Sequence, residues 1–218
     1  MIKAIIFDFD GVILDTETPW FDAYREVFSE EGGILPIAEW AKGVGTSFEH
    51  TNVFQYLSDQ IGKPVDRKQI EQRTALRYKQ LIQGMKVLPG VEAYLQTAKK
   101  LGLRVGLSSS STREWVEGFL QQYALLDYFE AISTSDDVDQ VKPSPDLYVR
   151  TMKLLGVAGN EAIAFEDSLN GLRAAKAAGL HCVIIPNKVT EQLSFEGESM
   201  RISSLADFPL EDLLNKLG

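Results

Sequence analysis

The chain has 218 residues, a length that favours one domain plus an insertion, and its 44% hydrophobic and 24% charged residues are typical of a globular protein. Its formal net charge of −9 repels phosphate backbones and anionic lipid, which disfavours nucleic acid and membrane surfaces as partners. The single cysteine, Cys182, excludes an internal disulfide and a metal site built from several thiolates. Because the sequence shows no secretion signal and no apolar run near the ~20 residues that span a bilayer, we expect a cytoplasmic protein.

Short apolar runs alternate with helical patterns along most of the chain. The runs are typical of strands buried on both faces, and the helical patterns place apolar residues at spacings of three and four. Gly102, Gly156 and Gly179 follow three of the helical patterns as stop signals. The alternation predicts an α/β fold, a parallel sheet covered by helices. The predicted strands span residues 4–9, 105–107, 162–165 and 182–185, and the predicted helices span residues 91–101, 113–122, 145–155 and 169–178.

Residues 16–85 break this alternation, because they show helical periodicity and no convincing buried strand. The pattern predicts a small helical domain inserted after the first strand, next to the end of that strand. The α/β domain is therefore expected to be discontinuous, formed by residues 1–15 and 86–218. The predicted helical stretches of the insert are residues 20–28, 48–57 and 70–82.

Two aspartates lie at the end of the first predicted strand. Asp8 and Asp10 alternate with Phe7 and Phe9, and side chains alternate along a strand, so the two carboxylates are predicted to share one side. In open parallel sheets the ligand crevice lies beyond the carboxyl ends of the strands, where this pair falls. The alternative is that one aspartate only caps the following turn.

Hydroxyl groups follow the second predicted strand, in the serine cluster of residues 108–111 directly before a helix. Free amides at a helix start and nearby hydroxyls suit an anion, and we predict that Ser109 and Ser110 bind phosphate. The alternative is ordinary helix capping.

A lysine and two acids complete the polar strand ends. Lys142 precedes a rigid turn in which Ser144 is the predicted N-cap and Pro145 the first helical residue. Glu166 and Asp167 follow a buried strand, and adjacent carboxylates suit a hard divalent cation such as Mg²⁺. The alternatives are a solvated lysine and a simple cap.

Together, the four strand ends supply the parts of one phosphoryl-transfer site. A carboxylate about 4 Å from a phosphate dianion is repelled by roughly 4 kcal/mol per charge pair, so nearby positive charge is required. We expect Asp8 to attack phosphorus, and Asp10 to protonate the departing alcohol and then deprotonate water. Ser109 and Lys142 would hold the transferring group. The predicted Mg²⁺ ligands are Asp8, the main-chain carbonyl of Asp10, Asp167 and Glu166.

These four motifs, in this order, resemble those of the haloacid dehalogenase superfamily. The resemblance covers residues 1–15 and about 86–187, and is greatest to the branch of β-phosphoglucomutase and small sugar-phosphate phosphatases. It implies a Rossmann-like sheet with Asp8 on a central strand and an α-helical cap inserted after the first motif. Within that family the second acid, Asp10, argues against dehalogenation.

The β-phosphoglucomutase pattern has a His and a cap Arg where this chain has Trp20 and Thr46. The resemblance therefore favours a phosphatase over a mutase. The loop that contains Lys42 is expected to face the substrate, with Lys42 as a candidate contact. Among the insert's aromatic residues, which are expected to pack its core, Trp20 is the candidate substrate contact.

The leading functional hypothesis is therefore a Mg²⁺-dependent phosphatase acting on small phosphate monoesters, sugar phosphates above all. The alternatives are a sugar phosphomutase and, from a different class, a non-catalytic phospho-accepting module. The expected partner is a small phosphorylated metabolite, with no nucleic acid or membrane, and the chain is expected to act as a monomer.

Overall fold

The protein is described here from a computed structural model, which covers residues 1–44 and 53–218. In these residues six parallel strands form one sheet, in the order β3-β2-β1-β4-β5-β6. The predicted α/β fold class is confirmed. The strands are β1 (Ala4–Phe7), β2 (Arg104–Ser108), β3 (Ala131–Ser133), β4 (Ala162–Glu166), β5 (His181–Ile184) and β6 (Met200–Arg201).

Four helices of the α/β part of the chain agree closely with the predicted periodic patterns, whereas the helix over residues 210–217 was not predicted. Gly102 and Gly156 adopt left-handed conformations at two helix ends, as the stop signals predict. None of the helices in residues 1–44 and 53–218 has the length and apolar character that crossing a bilayer requires. The helices are α1 (Glu17–Glu30), α2 (Ile37–Ala41), α3 (Val53–Ile61), α4 (Arg67–Leu81), α5 (Val91–Leu101), α6 (Arg113–Gln122), α7 (Asp146–Leu155), α8 (Leu169–Ala177) and α9 (Leu210–Leu217).

Two boundary predictions are corrected. The first strand ends at Phe7 and not at Phe9, because the backbone turns into a hydrogen-bonded loop in which Ile13 N donates to Phe9 O. Helix α7 begins at Asp146 with Pro145 at its cap position, so the predicted capping role of Ser144 is wrong by one residue.

Alternation along the strands divides the core into two faces. Ile5 and Phe7 lie in one apolar cluster with residues of α5, α6 and α9, whereas Ala4 and Ile6 lie in a second cluster with residues of α7 and α8. Because both faces are covered, each strand is almost wholly buried, which explains why the strands appear in the sequence as continuous apolar runs.

The order of the strands creates a crevice beside β1. The chain runs from β1 to β2 and β3 on one side and then crosses over to β4 on the other. Successive strands are therefore added in opposite directions on the two sides of the boundary between β1 and β4. Ligand crevices of open α/β sheets form at such a point. Phe7 is in register with Leu107 and Phe165, so Asp8, Ser108 and Glu166 all follow at the same edge.

Helices α1 to α4 belong to residues 16–85, called the helical insert below. Their apolar residues, among them Phe21, Tyr24 and Phe28, form a core of their own, as predicted for the aromatic residues of the insert, and Val189 of the α/β part joins it. Part of the predicted helix 48–57 lies outside the described residues, and α3 covers the rest from Val53. The insert is tied to the α/β part where Asn170 Nδ2 donates to Val44 O at 2.9 Å.

The centre of the sheet should be highly sensitive to loss of volume. Phe165 is fully buried on β4, with its ring centroid 4.9 Å from that of Phe7 and 5.4 Å from that of Tyr94. Phe165→Ala should lower the free energy of unfolding by about 3–5 kcal/mol, measured by urea denaturation. Leu101→Ala, on an exposed part of α5, serves as the control and should cost less than about 0.5 kcal/mol. Equal losses in the two variants would contradict this assignment of the core.

Candidate active site

Three carboxylates converge at the edge of the sheet between β1 and β4. Asp8 follows β1, and its backbone N–H donates to Phe165 O at 2.9 Å, which extends the strand ladder by one residue. Glu166 ends β4 and Asp167 follows it. All three side chains are buried, and each offers a carboxylate oxygen within 4.8 Å of those of the other two. The structure thus brings together residues that the sequence assigned to the nucleophile and the metal site.

Lys142 lies in the middle of these acids. Its Nζ is 2.7 Å from Asp8 Oδ1 and 2.7 Å from Glu166 Oε1, and the side chain is only 1% exposed. Tyr148, on α7, donates its hydroxyl to Glu166 Oε1 at 2.6 Å, and its ring centroid lies 5.2 Å from the ammonium group. The predicted alternative of a solvated lysine is therefore wrong, because this ammonium group is enclosed by its partners.

Asp10 occupies a different environment from Asp8, although only one residue separates them. Its Oδ1 accepts hydrogen bonds from Thr16 Oγ1 at 2.7 Å and from Trp115 Nε1 at 3.1 Å. Its Oδ2 accepts from Ser111 Oγ at 2.6 Å and, more weakly, from Ser109 Oγ at 3.4 Å. The second aspartate is thus held by donors from the insert, the β2–α6 loop and α6.

Asp167 is held from one side only. Its Oδ2 accepts from Asn187 Nδ2 at 2.6 Å, whereas its Oδ1 is buried without a hydrogen-bond partner among the described residues. Gly11 packs directly against this carboxylate, in a left-handed conformation with φ of +84°, and an added Cβ would overlap Asp167. A glycine is required here both by the backbone conformation and by the close approach.

Burial and unbalanced charge shift the pKa values of these groups strongly. Loss of solvation and the charge of Glu166 outweigh the opposing charge of Lys142 and raise the pKa of Asp8 to about 8. Burial and then the charge of Asp8 raise the pKa of Asp167 well above its usual value. Burial alone would lower the pKa of Lys142, but the ion pairs with Asp8 and Glu166 raise it above the usual lysine value. The acids outnumber the cation, so the site favours additional positive charge.

These residues fit a hard divalent cation. Three buried carboxylates and one ammonium group carry a formal charge of −2 when all are ionised, which a divalent cation would balance. Asp167 Oδ1, which has no hydrogen-bond partner in the part of the chain that the structure describes, supplies an oxygen ligand of the kind that such cations prefer. Glu166 is partly occupied already, because its Oε1 is held by both Lys142 and Tyr148.

Glu17, the first residue of α1, adds a further acid from the side of the insert. Its side chain is half-buried, and burial followed by the charges of Asp10, Asp8 and Asp15 raises its pKa to about 8. Glu17 therefore lies within electrostatic reach of both predicted catalytic aspartates, and sequence reasoning missed it.

The remaining predicted contacts have mixed outcomes. Ser109 is buried and its hydroxyl lies beside Asp10, whereas Ser110 is half-buried on the same loop. Lys42 is exposed and its Nζ pairs with Glu39 Oε1 at 2.7 Å. Trp20 stacks on Tyr78 of α4 with ring centroids 3.8 Å apart. The phosphate or substrate contacts of these residues stay predictions, and Thr46 lies outside the described residues.

Six residues of the site were not predicted from the sequence. The serine cluster of residues 108–111 did point to Ser111, and the position of Trp115 in the first turn of a predicted helix placed it near the same edge. Nothing in the periodicity identifies the others, since polar contacts are set by how the elements pack and not by the spacing of apolar residues. The six residues are Thr16, Glu17, Ser111, Trp115, Tyr148 and Asn187.

Removing the buried cation should be costly. Lys142→Met leaves Asp8 and Glu166 without their counter-charge, and we expect the free energy of unfolding to fall by about 3–5 kcal/mol in urea denaturation at about pH 9, above the raised pKa of Asp8. Adding Glu166→Gln to this variant removes one of the stranded charges and should restore part of the loss. Lys100→Met, on an exposed part of α5, is the matched control. A loss no larger than that of the control would contradict the ion-pair assignment.

The pKa of Glu17 predicts a pH-dependent stability. Because the pKa rises from 4.5 in the unfolded chain to about 8 in the folded protein, folding favours the protonated acid, and stability is lost as the pH rises through this window. Glu17→Gln carries no charge, so its free energy of unfolding in metal-free buffer should increase relative to the wild type between about pH 5 and about pH 9. Glu92→Gln, at an exposed position of α5, should show a constant difference from the wild type. A pH-independent effect of Glu17→Gln would refute the assignment.

Comparison with known proteins places this geometry in one family. Residues 5–185 match the family described as haloacid dehalogenase-like hydrolase. The phosphatase candidate YhcW of Bacillus subtilis is 50% identical over 218 residues, covering 100% of this chain and 99% of that protein. Hexitol phosphatase B of Escherichia coli is 30% identical, covering 98% of this chain and 97% of its own.

The fold has a solved counterpart that was crystallised with a sugar bisphosphate. A mutant of CbbY from Rhodobacter sphaeroides, in complex with xylulose-(1,5)bisphosphate, superposes with a TM-score of 0.75 at 30% identity, covering 95% of this chain and 96% of that one. The predicted enzyme class is confirmed by these similarities. The chain belongs to the haloacid dehalogenase-like hydrolase family.

Proposed function

We propose that the protein is a Mg²⁺-dependent phosphatase that hydrolyses small phosphate monoesters through an aspartyl-phosphate intermediate. The observation that carries the proposal is the position of Asp8, which lies at the crevice edge of the sheet beside Lys142 and two further carboxylates. A phosphate dianion that approaches Asp8 would be repelled by these carboxylates, and Lys142 together with a bound divalent cation would offset that repulsion.

Each aspartate has a separate role in the proposed reaction. An oxygen of Asp8 forms a bond to phosphorus while the bond from phosphorus to the alcohol oxygen breaks, and Asp10 gives its proton to that departing oxygen. Asp10 then takes a proton from a water molecule, whose oxygen attacks phosphorus and releases phosphate from Asp8. Ser109 and Lys142 orient the transferring group.

Asp8 and Asp167 would hold the cation directly, together with the main-chain carbonyl of Asp10. Glu166 contributes chiefly through Lys142, since one of its oxygens is already held by that residue and by Tyr148. When bound, Mg²⁺ neutralises charge on the phosphate oxygens and orients them.

The helical insert would serve as a cap over this crevice. It forms its own core, and its first residues, Thr16 and Glu17, lie close to Asp10. A cap at this position would exclude water from the first step and select the leaving group. We divide the chain accordingly into a core of residues 1–15 and 86–218 and a cap of residues 16–85.

Sugar phosphates are the proposed substrates. A relative named hexitol phosphatase B and the complex of CbbY with xylulose-(1,5)bisphosphate both support this class. The net charge of −9 supports a small metabolite, and neither nucleic acid nor membrane, as the partner. A cytoplasmic monomer is the corresponding expectation for the protein in the cell.

The proposal predicts hydrolysis of 4-nitrophenyl phosphate and of members of a sugar-phosphate panel, measured as released phosphate. Activity should disappear with a chelator and return with added Mg²⁺, because the three carboxylates then regain their balancing charge. Asp8→Asn should lower kcat by at least about 10³-fold, since the amide is a poor nucleophile. Persistent turnover in that variant would contradict the role of Asp8 as the nucleophile. Turnover in the presence of the chelator would contradict the requirement for a metal.

A matched control separates these effects from damage to the fold. Asp66 caps α4, with its side chain accepting from Gln69 N at 3.1 Å, and Asn caps a helix equally well, so Asp66→Asn should keep full activity. Product analysis tests the alternatives: conversion of a sugar 1-phosphate into its 6-phosphate without phosphate release would indicate a mutase. A phosphoaspartate that persists for many minutes without turnover would indicate a phospho-accepting module.

A further inference from the structure

The indole of Trp115 contacts the predicted proton-transfer group. Its Nε1–H donates to Asp10 Oδ1 at 3.1 Å, across 105 positions of the chain. Trp115 lies in the first turn of α6, and its backbone N–H is held by the hydroxyl of the cap residue, Thr112. The ring packs edge-on against Phe119, with centroids 4.7 Å apart. The indole is therefore held on several sides before it meets the carboxylate.

This donor differs in kind from the others that Asp10 accepts. The hydroxyls of Thr16 and Ser111 rotate and either donate or accept, whereas an indole N–H can only donate. Trp115 and Thr16 together direct two donors at Oδ1. The indole keeps Oδ1 as an acceptor, whereas the hydroxyls of Ser111 and Ser109 beside Oδ2 can turn to accept a hydrogen bond, so the proton that Asp10 gains and loses is left to Oδ2.

The same indole also touches the helical insert. The ring centroid of Tyr78, on α4, lies 6.0 Å from that of Trp115. Trp20 of α1 stacks on the same tyrosine, with centroids 3.8 Å apart. Trp115 thus contacts α4 with its ring and Asp10 with its nitrogen. The placement of the carboxylate depends on a side chain that packs against both parts of the protein.

We propose that Trp115 is a positioning residue for Asp10, one that holds Oδ1 as an acceptor so that Oδ2 carries the proton to the leaving oxygen. The inference rests on the proposed phosphatase function and adds to it a residue that orients the acid. It gives a role to a half-buried tryptophan at the edge of the crevice.

The kinetic test compares two esters that differ in their need for an acid. Trp115→Phe keeps an aromatic ring beside Tyr78 and loses the N–H. The variant should lower kcat/KM about tenfold for phenyl phosphate, whose leaving group needs a proton, and by less than about twofold for 4-nitrophenyl phosphate, whose leaving group does not. Because kcat/KM includes only the steps up to departure of the alcohol, the later hydrolysis of the phosphoenzyme does not enter. Equal losses for the two esters, or none, would overturn the proposal.

A matched tryptophan is available as the control. Trp40 is buried in the core of the insert, and Trp40→Phe should leave the ratio between the two esters unchanged. The chosen substitution at Trp115 should be well tolerated, because this residue lines a groove of about 420 Å³ that is already open to solvent. Urea denaturation of both variants checks that they fold.

A second measurement does not depend on activity. The chain has three tryptophans, so its ¹⁵N–¹H spectrum contains three indole signals, and Trp115→Phe identifies the one that belongs to Trp115. Asp10→Ala should shift that signal and leave the signal of Trp40 in place. An unmoved Trp115 signal would overturn the inference. Failure of the wild type to hydrolyse both esters and every member of the sugar-phosphate panel would instead overturn the proposed phosphatase, and with it the role of Trp115 in the reaction.

Discussion

The excess of negative charge buried at the crevice edge of the sheet is the constraint on which the rest of the site depends. Asp8, Glu166 and Asp167 meet in a region from which water is largely excluded, and Lys142 is the one buried cation among the described residues. Isolated charges in such a region are strongly unfavourable, so each must find a partner or lose its charge. The short contacts of Lys142 and Tyr148 follow from that requirement.

The same constraint separates the two aspartates of the first motif. Asp8 extends a central strand and shares its charge with Lys142 in a buried pocket, so its backbone is rigid and its surroundings are ionic. Asp10 lies in the loop beyond and is held by neutral donors, Thr16, Ser111 and Trp115. Two carboxylates in such different surroundings are suited to different roles, one as a nucleophile and the other as an acid and base.

Much of the fold was predictable because its signals are local. The bounds of α5 and α6 agree with the spacing of apolar residues, and the strand around Ile6 is a continuous apolar run because both of its faces are covered. The strands β3 and β6 were missed because two or three residues are too few to show a pattern. The polar residues at the ends of β1, β2 and β4 were found because strand ends in a parallel sheet share one edge, whatever the order of the strands.

The chain's pattern of residues was therefore sufficient for the fold class and for the polar residues that follow β1, β2 and β4. It did not contain the strand order that places β1 between β2 and β4, nor the contacts of Trp115, Tyr148 and Asn187. Those contacts join side chains from 18 to 105 positions apart. Periodicity reports which face of an element is buried, whereas the partner of a polar side chain is set by how separate elements pack, and that is a property of the folded molecule.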